Sequence, residues 1–187
     1  MSTTSLFVEL IVIGVGTLTA LMLVIMSVFG YEWILWDKLT SSTILIPLLS
    51  IIYLLGIVID RFADLIYSNW SKKLRLKQFA SNNEYHDAKT YVYQCANERI
   101  VSLFIYGRSR LRIIRAWSLN CVLLSVIIPI FVWVRCSQIE NDTRVLITIF
   151  SIIFFGCGAL ATCLVWIKLV KNDYKRLAET NKILKNI

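Results

Sequence analysis

Four long apolar segments constrain this chain more than any other feature of its sequence. They cover residues 10–30, 43–59, 116–134 and 145–167, and none contains Asp, Glu, Lys or Arg. Each approaches or exceeds the roughly 20 residues with which a helix spans about 30 Å of hydrocarbon. A soluble domain has no reason to exclude charge over such lengths. The sequence therefore predicts four transmembrane helices, whose backbone polar groups are satisfied within each helix.

The distribution of basic residues predicts the orientation of these helices. Of the 20 Lys and Arg residues, 17 lie between the second and third segments or after the fourth, and 3 lie in the other two loops. Positively charged loops remain on the cytoplasmic side of a membrane. We therefore expect both termini and the central insert to be cytoplasmic. This rule also accounts for the net charge of +8, so we expect no nucleic-acid binding by this chain.

The predicted fold class is all-α, a polytopic membrane protein with a helical cytoplasmic insert. Residues 1–59 form the first transmembrane pair, 60–115 the basic insert, 116–167 the second pair, and 168–187 a basic amphipathic tail. Within the insert, Ser81 and Glu84 have the spacing of a capping box, which predicts a helix start. Gly107 is expected to interrupt the helical pattern that precedes the third span.

Charged residues near the predicted membrane boundary are the first candidate functional groups. Arg61 and Asp64 are one turn apart and predict a local ion pair at the membrane rim; a functional charge there is the alternative. Four arginines, Arg108, Arg110, Arg112 and Arg115, fall within eight residues. At 100° per residue, Arg110 points away from the other three. These arginines either hold the third span at the lipid phosphates or bind a phosphate-bearing ligand or an acidic partner.

Small and polar residues within the third and fourth spans are the second group of candidates. Such residues let membrane helices approach closely, and an amide in a span should face protein or water. We interpret them as helix-packing residues or, in an oligomer, as the lining of a pore. They are Ser118, Asn120, Ser125, Thr148, Ser151, Gly158 and Thr162. The tail carries a heptad-like stripe with Asn181 at a register-fixing position, which favours self-assembly.

No catalytic motif or metal-ligand spacing is present in the sequence. We therefore predict a protein that is not an enzyme and that uses no cofactor or metal. The predicted partners are the lipid bilayer, further copies of the chain and a cytoplasmic protein.

Two stretches of the sequence are similar to a known group of proteins. Residues 56–64 (GIVIDRFAD) and 106–120 (YGRSRLRIIRAWSLN) resemble patterns in small bacterial four-span inner-membrane proteins, some of which are membrane subunits of anti-phage defence systems. The resemblance implies a bacterial inner-membrane location and a role in antiviral defence.

Two functional hypotheses follow. The first is an oligomeric inner-membrane protein whose insert senses or docks a ligand or partner and whose spans act as a pore or membrane effector. The alternative is a membrane anchor that recruits a soluble cytoplasmic effector without conducting.

Overall fold

The protein is built from five α-helices. A computed structural model describes the backbone of residues 3–32 and 42–185, with side chains for residues 6–32 and 44–185, and this part of the chain contains no strand. The predicted all-helical class is therefore confirmed for the described residues. The helices are α1 (Thr3–Phe29), α2 (Ser42–Arg75), α3 (Asn82–Cys95), α4 (Glu98–Arg135) and α5 (Asn141–Lys185).

Four of these helices (α1, α2, α4 and α5) are long and apolar enough to cross a membrane. Each contains one of the four predicted segments. Large apolar side chains such as Ile46, Leu146 and Leu164 are about two-thirds exposed, as expected for surfaces that contact lipid rather than water. Length, composition and exposure together indicate a multi-pass membrane protein.

The apolar segments continue as helix beyond their predicted boundaries. Helix α2 extends to Arg75, α4 begins at Glu98, and α5 extends to Lys185. These three extensions and α3 gather at one end of the molecule, which we call the basic end because it carries most of the Lys and Arg residues. The predicted interruption at Gly107 is wrong, because α4 passes through it as continuous helix. A Cβ added at Gly107 would lie 3.4 Å from Asp173 Oδ1, so this position of α4 faces α5.

Two glycines bring α1 and α2 into backbone contact. A Cβ built on Gly14 would lie 1.9 Å from the carbonyl oxygen of Ile52, and one built on Gly56 would lie 2.0 Å from that of Leu10. Neither distance is possible for a real side chain. Because lipid gives membrane helices no hydrophobic reason to associate, such close packing is a main source of their stability.

Helix α3 packs on α4 and α5 at the basic end. Ser81 is its N-cap and accepts a hydrogen bond of 3.1 Å from the Glu84 amide, as the capping box predicts. The Glu84 carboxylate accepts a 2.6 Å hydrogen bond from the amide of Ala80. The buried face of α3, Ala88 and Val92, belongs to a core cluster. Its other buried members are Phe79, Phe104 and Leu177.

The tail contributes its apolar stripe to this same core. Val170 and Leu177 are buried, and Tyr174 and Leu184 pack against the core clusters. The stripe that favoured self-assembly is thus covered largely by α2, α3 and α4 of the same chain.

At the end opposite the basic end, Arg135 joins α4 to α1. Its guanidinium donates a 2.9 Å hydrogen bond to the carbonyl of Ser27 and a second hydrogen bond to that of Val28. These carbonyls lie in the last turn of α1, where no intrahelical donor remains for them. The arginine therefore caps α1 from a neighbouring helix.

We expect Gly14→Ala to lower the free energy of unfolding by about 1–3 kcal/mol, because a Cβ at this position forces the α1 and α2 backbones apart. Gly156→Ala is the matched control, since a Cβ there meets no atom within 4 Å. Thermal denaturation of the purified protein in detergent measures both variants. Equal transition temperatures would contradict the close contact.

Candidate functional site

Five charged side chains from three helices meet near the predicted membrane boundary. This group, which we call the rim cluster, consists of Glu9 on α1, Asp60 and Asp64 on α2, and Arg112 and Arg115 on α4. Glu9 and Asp60 are only 5% and 9% exposed. Nearly buried carboxylates are costly unless they are paired with cations, and the two arginines supply these pairs.

The two arginines of the rim cluster are held with different strength. Arg115 Nη2 lies 3.1 Å from Asp60 Oδ1, and its Nη1 hydrogen-bonds to Asp64. Arg112 is 3.6 Å from Glu9 Oε2 and 3.6 Å from Asp60 Oδ2. Charge-assisted hydrogen bonds are about 2.7–2.9 Å long, so Arg112 is held only by longer ionic contacts. Arg115 thus makes hydrogen bonds to its carboxylates, whereas Arg112 makes only the longer ionic contacts.

The ion pair predicted between Arg61 and Asp64 is replaced by one between helices. Asp64 pairs with Arg115, and within residues 6–32 and 44–185 no ion pair joins Arg61 to Asp64. Helix α4 packs against the face of α2 that carries Asp60, whereas Arg61 is exposed. The partner of Asp64 is therefore Arg115 on α4, not Arg61 as the local spacing predicted.

Glu9 is the member of the rim cluster that sequence reasoning missed. It directly precedes the first apolar segment, where it resembles an ordinary boundary residue. The available signal was that an acidic side chain at the first turn of a span must be solvated or paired. Its partner on α4 is more than 100 positions away in sequence, so spacing could not identify it.

A cavity of about 210 Å³ opens beside the rim cluster at the basic end. Arg108, Arg112 and Arg115 all line it, as their shared helical face predicted, and Arg110 lines a different cavity. We call the first one the arginine cavity. Its other polar lining residues are Ser71, Tyr85, Asp173 and Tyr174.

Both basic and acidic groups surround Arg108, because the partly buried Asp173 lines the same cavity and interacts with this arginine. Burial raises the pKa of Tyr85 above its ordinary value, and its hydroxyl, like that of any tyrosine, is protonated at neutral pH. Burial and then the nearby charge of Arg108 lower the pKa of Lys89. Arg108 lies 5.3 Å from the centre of the Tyr93 ring, and Arg75 lies 4.9 Å from that of Tyr85. Three basic side chains thus gather around two aromatic rings.

Asn120 joins α4 to α1 at a completely buried position. Its Nδ2 donates a 2.9 Å hydrogen bond to the Ile13 carbonyl, and its Oδ1 accepts a 3.0 Å hydrogen bond from Thr17 Oγ1. A Cβ on Gly16 would lie 2.6 Å from Nδ2, so the glycine provides the space for the amide. Asn120 faces protein, as expected for an amide in a span.

The other polar residues predicted within the spans also make contacts inside one chain. Ser118 donates to the Arg115 carbonyl at 2.7 Å and lies 2.5 Å from the Tyr67 hydroxyl. Gly158 packs near Cys121 Sγ. Three hydroxyls donate hydrogen bonds to backbone carbonyls of their own helix: Ser125 to Val122, Ser151 to Thr148 and Thr162 to Gly158. The Thr148 hydroxyl accepts a hydrogen bond from Trp133 Nε1 on the neighbouring span. Asn120, Ser118, Thr148 and Gly158 therefore contact neighbouring helices, whereas the hydroxyls of Ser125, Ser151 and Thr162 bond within their own helix.

Searches against protein-family models, curated proteins and solved structures returned no match to this chain. In the described parts of the chain, no group of three or more His, Cys, Asp and Glu side chains is arranged to hold a metal ion. The resemblance to four-span bacterial proteins stays a prediction.

We expect Asn120→Leu to reduce the free energy of unfolding by about 1–3 kcal/mol, because two hydrogen bonds between spans are lost. Ser125→Ala is the control, since Ser125 bonds only within its own helix. Thermal denaturation in detergent gives the stability, and light scattering gives the mass of the complex. A variant with unchanged stability but an altered oligomer mass would place Asn120 at an interface between copies.

Proposed function

We propose that this protein is a non-enzymatic sensor in the bacterial inner membrane that binds an anionic group in its arginine cavity on the cytoplasmic side. One observation carries the proposal. Arg108 and Arg112 lie one helical turn apart and line the same cavity, and the carboxylate oxygens that pair with Arg112 are 3.6 Å away, which is longer than a charge-assisted hydrogen bond. Two guanidinium groups at this spacing suit the bidentate recognition of a phosphate or carboxylate.

The size of the cavity limits what it can hold. Ligand pockets for whole small molecules are about 300–1,000 Å³, and this cavity is about 210 Å³. It fits a phosphate or carboxylate group rather than an entire nucleotide. The ligand is therefore a small anion, or the anionic part of a larger partner that remains outside. The hydroxyl of Tyr85 supplies a neutral donor beside the two arginines.

Binding at this position is linked to the spans through Arg112. If Arg112 turns toward an anion, Glu9 and Asp60 lose one of their cationic contacts. These carboxylates are nearly buried. Loss of their ion pairs with Arg112 would therefore destabilise the packing of α1 and α2 against α4. Ligand binding and a shift of α1 against α4 therefore favour each other.

The contacts within one chain favour recruitment of a partner protein, rather than ion conduction, as the response to anion binding. Asn120, Ser118 and Gly158, which motivated the pore hypothesis, make contacts inside the single chain. We accordingly propose that the bound anion belongs to a soluble cytoplasmic partner, which the membrane protein recruits. Pore formation by an oligomer and a role in anti-phage defence stay predictions from the sequence.

Inorganic phosphate is the simplest probe of the proposed site. We expect phosphate, at constant ionic strength in maltoside detergent, to raise the melting temperature of the natural protein. Arg108→Ala should weaken its apparent affinity about tenfold or more, since one hydrogen bond to a charged group contributes about 1.5–3 kcal/mol. Arg110→Ala is the matched control, because Arg110 lines another cavity. Equal loss in both variants would indicate a general charge effect and refute the site.

Glu9→Gln tests the link to the spans. Because this change removes a carboxylate that competes for Arg112, we expect the affinity for phosphate to rise about fivefold, which corresponds to a coupling of about 1 kcal/mol. Asp64→Asn is the control, since Asp64 contacts Arg115 and not Arg112. Calorimetric titration of both variants measures the effect. An unchanged affinity in Glu9→Gln would show that Arg112 does not link the cavity to α1.

A further inference from the structure

A groove between α2 and α5 lies at the level where the apolar surface gives way to the basic end. Its volume is about 270 Å³, and we call it the lysine groove. Trp70, Leu74 and Ile167 form its apolar floor, and Lys73 and Lys77 form its polar side. It shares no lining residue with the arginine cavity.

The floor of the groove is continuous with the surface expected to contact lipid. Ile66 precedes Trp70 by one helical turn and is 54% exposed, and Ile167 is the last residue of the fourth apolar segment. Trp70 is half-exposed and is held edge-on against the buried Tyr67 ring at 5.5 Å. A tryptophan fixed in this way is typical of the interface between hydrocarbon and headgroups.

Within residues 6–32 and 44–185, neither lysine of the groove forms an ion pair. In the part of the chain that the structure describes, the cations that form ion pairs are Arg112, Arg115 and Lys175. Lys73 and Lys77 are both exposed, lie four residues apart, and line the same groove. Two such ammonium groups next to an apolar floor are complementary to a molecule that is anionic at one end and apolar at the other.

We infer that the lysine groove binds one anionic glycerophospholipid. Its phosphate lies between Lys73 and Lys77, and an acyl chain runs over Trp70 toward Ile66. The apolar floor favours a bilayer lipid over a free phosphate, which has no group to cover the tryptophan. Basic pockets between spans at the cytoplasmic surface recognise anionic headgroups in this manner. The bound lipid would bridge the basic ends of α2 and α5.

Native mass spectrometry of the full chain in detergent, titrated with phosphatidylglycerol or phosphatidylcholine, tests this inference. We expect one phosphatidylglycerol to bind in preference to phosphatidylcholine. The double variant Lys73→Ala/Lys77→Ala should lower the affinity for phosphatidylglycerol roughly tenfold or more. The matched control is Lys182→Ala/Lys185→Ala, which removes the same charge from the far end of α5. Equal loss in the two double variants would overturn the site.

Two further measurements separate the alternatives. Trp70→Ala should also weaken binding although both lysines remain, and unchanged binding in a variant that melts normally would refute the apolar floor. Displacement of the lipid by inorganic phosphate at millimolar concentration would show a free-phosphate site and would overturn the lipid assignment. Arg108→Ala should retain lipid binding, so failure of the arginine cavity and failure of the lysine groove give different results.

Discussion

Two arginines of α4 hold α1 and α2 together at the rim cluster by forming ion pairs with their carboxylates. Glu9 and Asp60 are nearly buried, and an isolated ion in such a position costs several kcal/mol even after relaxation. The rim cluster therefore fixes which helices are neighbours at this end. The same requirement makes the region sensitive, because any group that attracts Arg112 alters the balance of charge for α1 and α2 simultaneously.

Within the apolar spans, close packing rather than ion pairing holds the helices together. Gly14 and Gly56 let two backbones touch, and Gly16 makes room for the Asn120 amide. In lipid, apolar side chains gain little by leaving one hydrocarbon surface for another, so close backbone packing and a few hydrogen bonds decide which spans associate. Helix α5 follows a different pattern. Much of its apolar span is exposed, yet it packs along α4, where Trp133 donates a hydrogen bond to Thr148, and it also contributes to the core of the basic end.

The sequence predicted what depends on local pattern. Charge-free runs revealed the four long helices, and helical periodicity grouped Arg108, Arg112 and Arg115 while it separated Arg110. The capping box likewise placed the start of α3. Each of these signals depends only on residues that are close together in sequence.

Contacts between distant helices could not be predicted in the same way. The pairing of Asp64 with Arg115 depends on which face of α2 meets α4, and Glu9 gained its role only from a helix far away in sequence. The apolar stripe of the tail does not reveal from sequence alone whether it packs against the same chain or against a second copy of it. Gly107 was misjudged because a single glycine within a long helical pattern need not end the helix, and α4 continues through it.

The unbroken length of α5 has a mechanical consequence. This helix has 45 residues, and the 18 residues from Lys168 to Lys185 extend it by about 27 Å beyond the apolar segment at 1.5 Å per residue. No proline or interruption lies in that stretch. The extension is therefore continuous with the span, and its apolar side packs against α2, α3 and α4. A tilt of the span within the bilayer would therefore move the packed helices of the basic end together with it.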